Sequence, residues 1–94
     1  MPRIEGNWTN SNESIKITFK EIPNESDTFS VKYSDDKNSV NGKIHLSFSD
    51  DNHLHLVDMP DHVLFGEGSI IFLEDDRILI KTSHIKYLSL NKNN

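Results

Sequence analysis

A chain of 94 residues with a net charge of −5 suits one domain with one modest core, since a chain of this size buries roughly 60 to 70% of its unfolded surface. With no cysteine, neither a disulfide framework nor thiolate ligation of a metal can hold the fold. Lysines scattered along an acidic chain, as at Lys16, Lys32, Lys43 and Lys81, offer no concentrated positive field, so nucleic acid and anionic membranes are disfavoured as partners.

The sequence contains neither alanine nor glutamine while Ile, Val, Phe, Tyr and Thr are plentiful, a composition that favours strands over helices. The opening Met1-Pro2-Arg3 lacks an apolar run of export or membrane-span length, which sets a cytoplasmic location as the expectation. On that expectation the Asn-x-Ser/Thr triplets at Asn7, Asn12 and Asn24 are chance occurrences. Ile4 to Trp8 is the first predicted strand.

Ile15, Ile17 and Phe19 then alternate with Lys16, Thr18 and Lys20, and Phe29, Val31 and Tyr33 alternate with Ser30 and Lys32, so each run has one dry and one wet face. Pro23-Asn24-Glu25-Ser26-Asp27 between them carries the turn chemistry of a hairpin. A second hairpin sets Ile44, Leu46 and Phe48 against His45, Ser47 and Ser49, followed by Leu54 and Leu56 against His53 and His55. Its three-residue loop, Asp50-Asp51-Asn52, places Phe48 and Leu54 on one face and His55 opposite Ser47. Strict alternation turns Asp58 inward unless Val57 bulges or the strand ends at a rim; the rim is the expectation. Met59-Pro60-Asp61 suits a single helical turn.

The third hairpin joins Ile70–Leu73 to Ile78–Lys81 through Glu74-Asp75-Asp76-Arg77. Simple pairing puts Leu73 opposite Ile78 and Phe72 opposite Leu79, which directs Ile71, Leu73, Ile78 and Ile80 inward. Ile70, Phe72 and Leu79 then form an apolar outer face with charged ends, the usual mark of an interface, and a homodimer is the partner expected. Cover by the N-terminal arm or by the tail after Leu90 would instead give a monomer. His84 to Leu90 is the last predicted strand and 91–94 a frayed tail.

Residues 1–90 therefore read as one all-β domain of about eight antiparallel strands. A small up-and-down barrel is preferred to a sandwich because closure removes edge strands, and Gly66 and Gly68 share one face where a bend is needed.

The segment Gly6-Asn7-Trp8-Thr9-Asn10, with Ser14, resembles the first strand and loop of the avidin family, within the lipocalin-like, calycin-type group of barrels. Ile80-Lys81-Thr82 is similar to that family's Leu-Lys-Thr near its last strand. The resemblance implies that Trp8 plugs a barrel floor and that Asn10, Ser14 and Tyr33 bond the polar head of a small ligand.

Read from chemistry alone, Asn10, Ser14 and Tyr33 could orient such a ligand at a barrel mouth. Equally, Asn10 and Ser14 could shape the first turn while Tyr33 packs as an aromatic. Inward Phe19, Phe29, Leu46, Phe48, Leu56, Leu73 and Ile80 could fill the interior completely. His45, His53 and His55 could meet near a Zn²⁺ or Ni²⁺ ion, though such histidines more often decorate a wet strand face, and no metal or other cofactor is expected. Nucleophile-elbow, phosphate-loop and zinc-protease motifs are missing, and Asp35-Asp36, Asp50-Asp51 and Asp75-Asp76 read as turn chemistry, so no enzyme is expected. The leading expectation is a small-molecule-binding barrel without catalysis, and the alternative is a filled barrel serving as a protein-interaction or regulatory module.

Overall fold

The structure is a computed structural model and describes residues 4–25, 27–48, 53–58, 68–82 and 87–93. In chain order its strands are β1 (Gly6–Thr9), β2 (Lys16–Glu21), β3 (Thr28–Ser34), β4 (Ser39–Phe48), β5 (His53–Asp58), β6 (Gly68–Glu74), β7 (Arg77–Thr82) and β8 (Leu88–Asn93). Each pairs antiparallel with the next, which curls the sheet into a barrel-like shape. β1 also pairs with β8, through Asn7↔Asn93, Trp8↔Lys92 and Thr9↔Asn91. The described residues are all-β, with no helix among them. The turn expected at Met59-Pro60-Asp61 lies outside the described residues.

Alternation explains the early strands. Ile17 and Phe19 of β2 are buried while Lys16 and Lys20 are exposed, and they pair with Tyr33 and Val31 of β3, which are buried in turn. The connecting turn uses the predicted residues: Asn24 and Asp27 take left-handed φ angles of 68° and 55°, which short polar side chains tolerate best after glycine. Phe29 is only half-buried, packed on the edge of the core.

The core gathers inward positions of β1, β2, β3, β4, β6, β7 and β8. Trp8, Ile17, Ile70, Ile78, Ile80 and Leu90 have no measurable exposure. Trp8 meets Phe72 edge to face, with ring centroids 6.4 Å apart at 76°, an arrangement that matches positive ring edge to negative ring face.

Three expectations require correction. In the third hairpin the ladder runs Ile70↔Ile80, Ile71↔Leu79, Phe72↔Ile78 and Glu74↔Arg77, with a bulge between Phe72 and Glu74. Leu73 is the extra residue, and an extra residue shifts everything beyond it by one and reverses the faces of that strand. Ile70 (0% exposed) and Phe72 (8%) therefore belong to the core and not to an outer interface, while Leu73, expected inward, is 48% exposed. Leu79 stays outward and half-buried, beside Ile71 rather than Phe72.

The second correction concerns β5, where His45 pairs with Asp58 and Leu46 with Leu56, leaving Val57 as an extra residue. A bulge at Val57 accommodates the stretch before Asp58, which is also the last residue of β5; Ser47 pairs with His55 as expected. Third, Asn91, Lys92 and Asn93 are not a frayed tail. They continue β8, pair with β1, and the Lys92 N–H donates to the Asp76 carbonyl at 2.7 Å.

Candidate functional site

Strands that alternate in direction place the β1–β2 and β3–β4 connections at one end of the sheet, and these carry the candidate polar residues. In the β1–β2 loop the Asn10 carbonyl accepts the Glu13 N–H at 3.0 Å, and Glu13 adopts a left-handed φ of 58°. Asn10 Oδ1 accepts the Ile15 N–H at 2.9 Å, and its Nδ2 donates to Ser14 Oγ at 2.9 Å. The Ser14 hydroxyl and N–H both donate to Asn12 Oδ1, at 2.7 and 3.1 Å. Asn10 and Ser14 are thus brought together, and these bonds shape the turn. Asn10 retains one amide proton and one carbonyl lone pair beyond them.

Tyr33 lies on the neighbouring strand, its ring in the core and its hydroxyl donating to Asp35 Oδ2 at 2.7 Å. Asp35 Oδ1 accepts the N–H groups of Lys37 and Asn38 at 2.8 and 2.7 Å, so one carboxylate anchors the tyrosine and caps the β3–β4 turn. Burial, then the bond to Asp35 and its negative charge, pushes the Tyr33 hydroxyl up to about 12. The same bond, followed by the two backbone donors, holds the Asp35 carboxyl below its ordinary value. A donor shared with a carboxylate favours the charged acid and the neutral phenol together.

Two solvent-open depressions join these loops. One of about 270 Å³ is lined by Ser14, Ile15, Asp35, Asp36 and Lys37, and an adjoining one of about 230 Å³ adds Glu13, Lys16 and Ser34. Asn10 instead borders a wider groove of about 580 Å³ with Ser11, Arg77, Leu88, Ser89 and Asn91. Ser14 and Asp35 therefore share one depression, while Asn10 lines another and Tyr33 reaches the first only through its bond to Asp35.

Trp8 leans toward the opposite end. Its Nε1–H donates to the carbonyl of Ile4 at 2.8 Å, just before β1 begins, and the Lys92 ammonium stands 5.5 Å from the ring centroid. Gly6 has a φ of +138°, and a Cβ there would come within 2.7 Å of Lys92 Cε. The Lys92 side chain could swing aside, but that φ is one side chains rarely adopt, which gives the glycine of the Gly6-Asn7-Trp8 motif a local physical cause.

Asp35 as the partner of Tyr33 went unseen in the sequence although period-two counting would have found it, because residues two apart on a strand share a face. Lys92 was missed for the same reason: it continues the inward series Leu88, Leu90. The side chains of His45, His53 and His55 lie outside the described residues. Among the described residues no group of three His, Asp or Glu could hold a metal ion, and no helix is long and apolar enough to cross a membrane. No protein-family model, curated protein or solved structure matches the chain.

Proposed function

We propose that this chain is a non-catalytic protein-interaction module, an eight-stranded up-and-down barrel with a filled core that offers the outer face of β6 and β7 to a partner. One observation carries the reading: Ile71 and Leu79 are paired on the outward side beside exposed Leu73, although the inward side of the same hairpin is fully supplied by Ile70, Phe72, Ile78 and Ile80. A strand facing water on one side is ordinarily polar there, so apolar residues beyond the needs of the core favour a contact. A photoreactive residue in place of Leu79 should give a discrete adduct, in purified protein or in an extract, while one in place of exposed Lys32 on β3 should give none. Equal labelling from both positions would contradict the reading.

The β1–β8 pairing supports closure of the barrel, and the buried Trp8 behind Gly6 favours a calycin-type arrangement with that tryptophan on the floor. A second reading draws on the polar end. Ser14 lines the same depression as Asp35, whose carboxylate holds the Tyr33 hydroxyl, and Asn10 is bonded to Ser14; these groups suit the polar head of a small ligand. A thermal-shift screen of cofactors and metabolites, biotin included, tests it, since a bound ligand raises the melting temperature by mass action. No rise with any compound would count against it.

A further inference from the structure

Resting on the interaction reading, we infer that the partner of the β6–β7 face is a second copy of this chain, docked about a two-fold axis passing near Ile71 and Leu79. Two features of the hairpin point there. Its tip, Glu74-Asp75-Asp76-Arg77, is exposed and carries a net charge of −2, three carboxylates against one guanidinium. Lys81 stands exposed on the same outer face at the opposite end of β7, paired with Ser69 and within 5.6 Å of the ring centre of exposed Tyr87. The apolar stripe thus has an acidic head and a basic foot.

A two-fold axis through the middle of the stripe lays the apolar residues on their own counterparts and brings the head of each copy over the foot of the other. Isologous docking requires this kind of self-complementarity, and a parallel arrangement would set head against head, which like charges oppose. The described residues of the segments that the sequence offered as internal cover are engaged elsewhere: Asn91–Asn93 pair with β1, and Ile4 is buried with its carbonyl bonded to Trp8.

Sedimentation and native mass spectrometry of the purified chain across the micromolar range test the inference. The wild type should be a dimer, and Leu79→Lys should raise its dissociation constant about tenfold or more, with melting temperatures that coincide at concentrations low enough for both chains to be monomeric. Charge reversal separates this docking from general stickiness. Asp75→Lys combined with Asp76→Lys should weaken the dimer, Lys81→Glu should also weaken it, and mixing the two variants should restore association, because each reversed head then meets a foot of opposite sign. A monomeric wild type, a dimer indifferent to Leu79→Lys, or a mixture no tighter than its components would overturn the inference. If the wild type is monomeric, cross-linking from position 79 separates the two failures: an adduct with another protein leaves the interaction reading standing, and no adduct removes both.

Discussion

The β2–β3 and β6–β7 hairpins are built from similar lengths of β-branched and aromatic sequence, yet only the first has one solution for its register. In β2–β3 the outward positions are Lys16, Thr18 and Lys20 opposite Ser34, Lys32 and Ser30, so a slip by one residue would bury lysines and expose Ile17 and Phe19. In β6 the run Ile70-Ile71-Phe72-Leu73 is apolar at every position, and a slip exchanges one apolar face for another. Register is specified by the cost of the alternative. Where that cost is small, tertiary packing decides, here the fit of Phe72 against Trp8.

The comparison breaks first at Trp8. Replacing it with Ala should cost about 3 to 5 kcal/mol, a large share of the stability of a domain this size, and chemical denaturation followed by circular dichroism measures it. An unchanged midpoint would mean that the core does not rest on this ring. Phe72→Ala against Leu73→Ala sharpens the contrast within one strand. The first should lose about 3 kcal/mol or more by leaving a cavity, the second about 0.5 kcal/mol or less because Leu73 faces solvent. Equal losses would restore the unbulged register.

Gly6→Ala comes next, at about 1 to 3 kcal/mol for a side chain forced onto a positive φ and against Lys92; denaturant midpoints would show it.

The smallest effect belongs to Tyr33→Phe, read from the pH dependence of stability. The hydroxyl is raised from 10.0 to about 12 in the fold, so its contribution is complete below about pH 10 and is lost as pH rises through about 12. Asp35 is lowered, so its contribution is complete above the ordinary carboxylate value and is lost as pH falls through the depressed one. Tyr33→Phe should flatten both limbs and remove the late step from a tyrosinate absorbance titration. A late step that survives would reassign it.

Strand positions and the antiparallel order were legible because turn residues and period-two alternation are local signals, and β2 and β3 follow them closely. Leu73 was not read as a bulge, because a bulge is one residue long and leaves no mark on an alternating pattern when its neighbours are apolar as well; at Val57 the inward parity of Asp58 did raise a bulge, which was placed second to a strand end. Lys92 was hidden by its Asn-rich surroundings, although Leu88 and Leu90 give its parity. At the polar end Asn10, Ser14 and Tyr33 were recognised as residues, but their partners were not. Asn12, Ile15 and Asp35 take up bonds that composition alone leaves unassigned.

Single-cysteine labelling tests the bulged register most directly, since the chain has no cysteine of its own. Cysteines placed one at a time at positions 70, 71, 72, 73 and 79 would be reacted with a thiol reagent under native conditions, dilute enough to keep the chain monomeric. The bulge predicts fast labelling for Ile71→Cys, Leu73→Cys and Leu79→Cys and strong protection for Ile70→Cys and Phe72→Cys. Protection at 71 and 73 with fast labelling at 70 and 72 would contradict it and turn the outer face of β6 inside out.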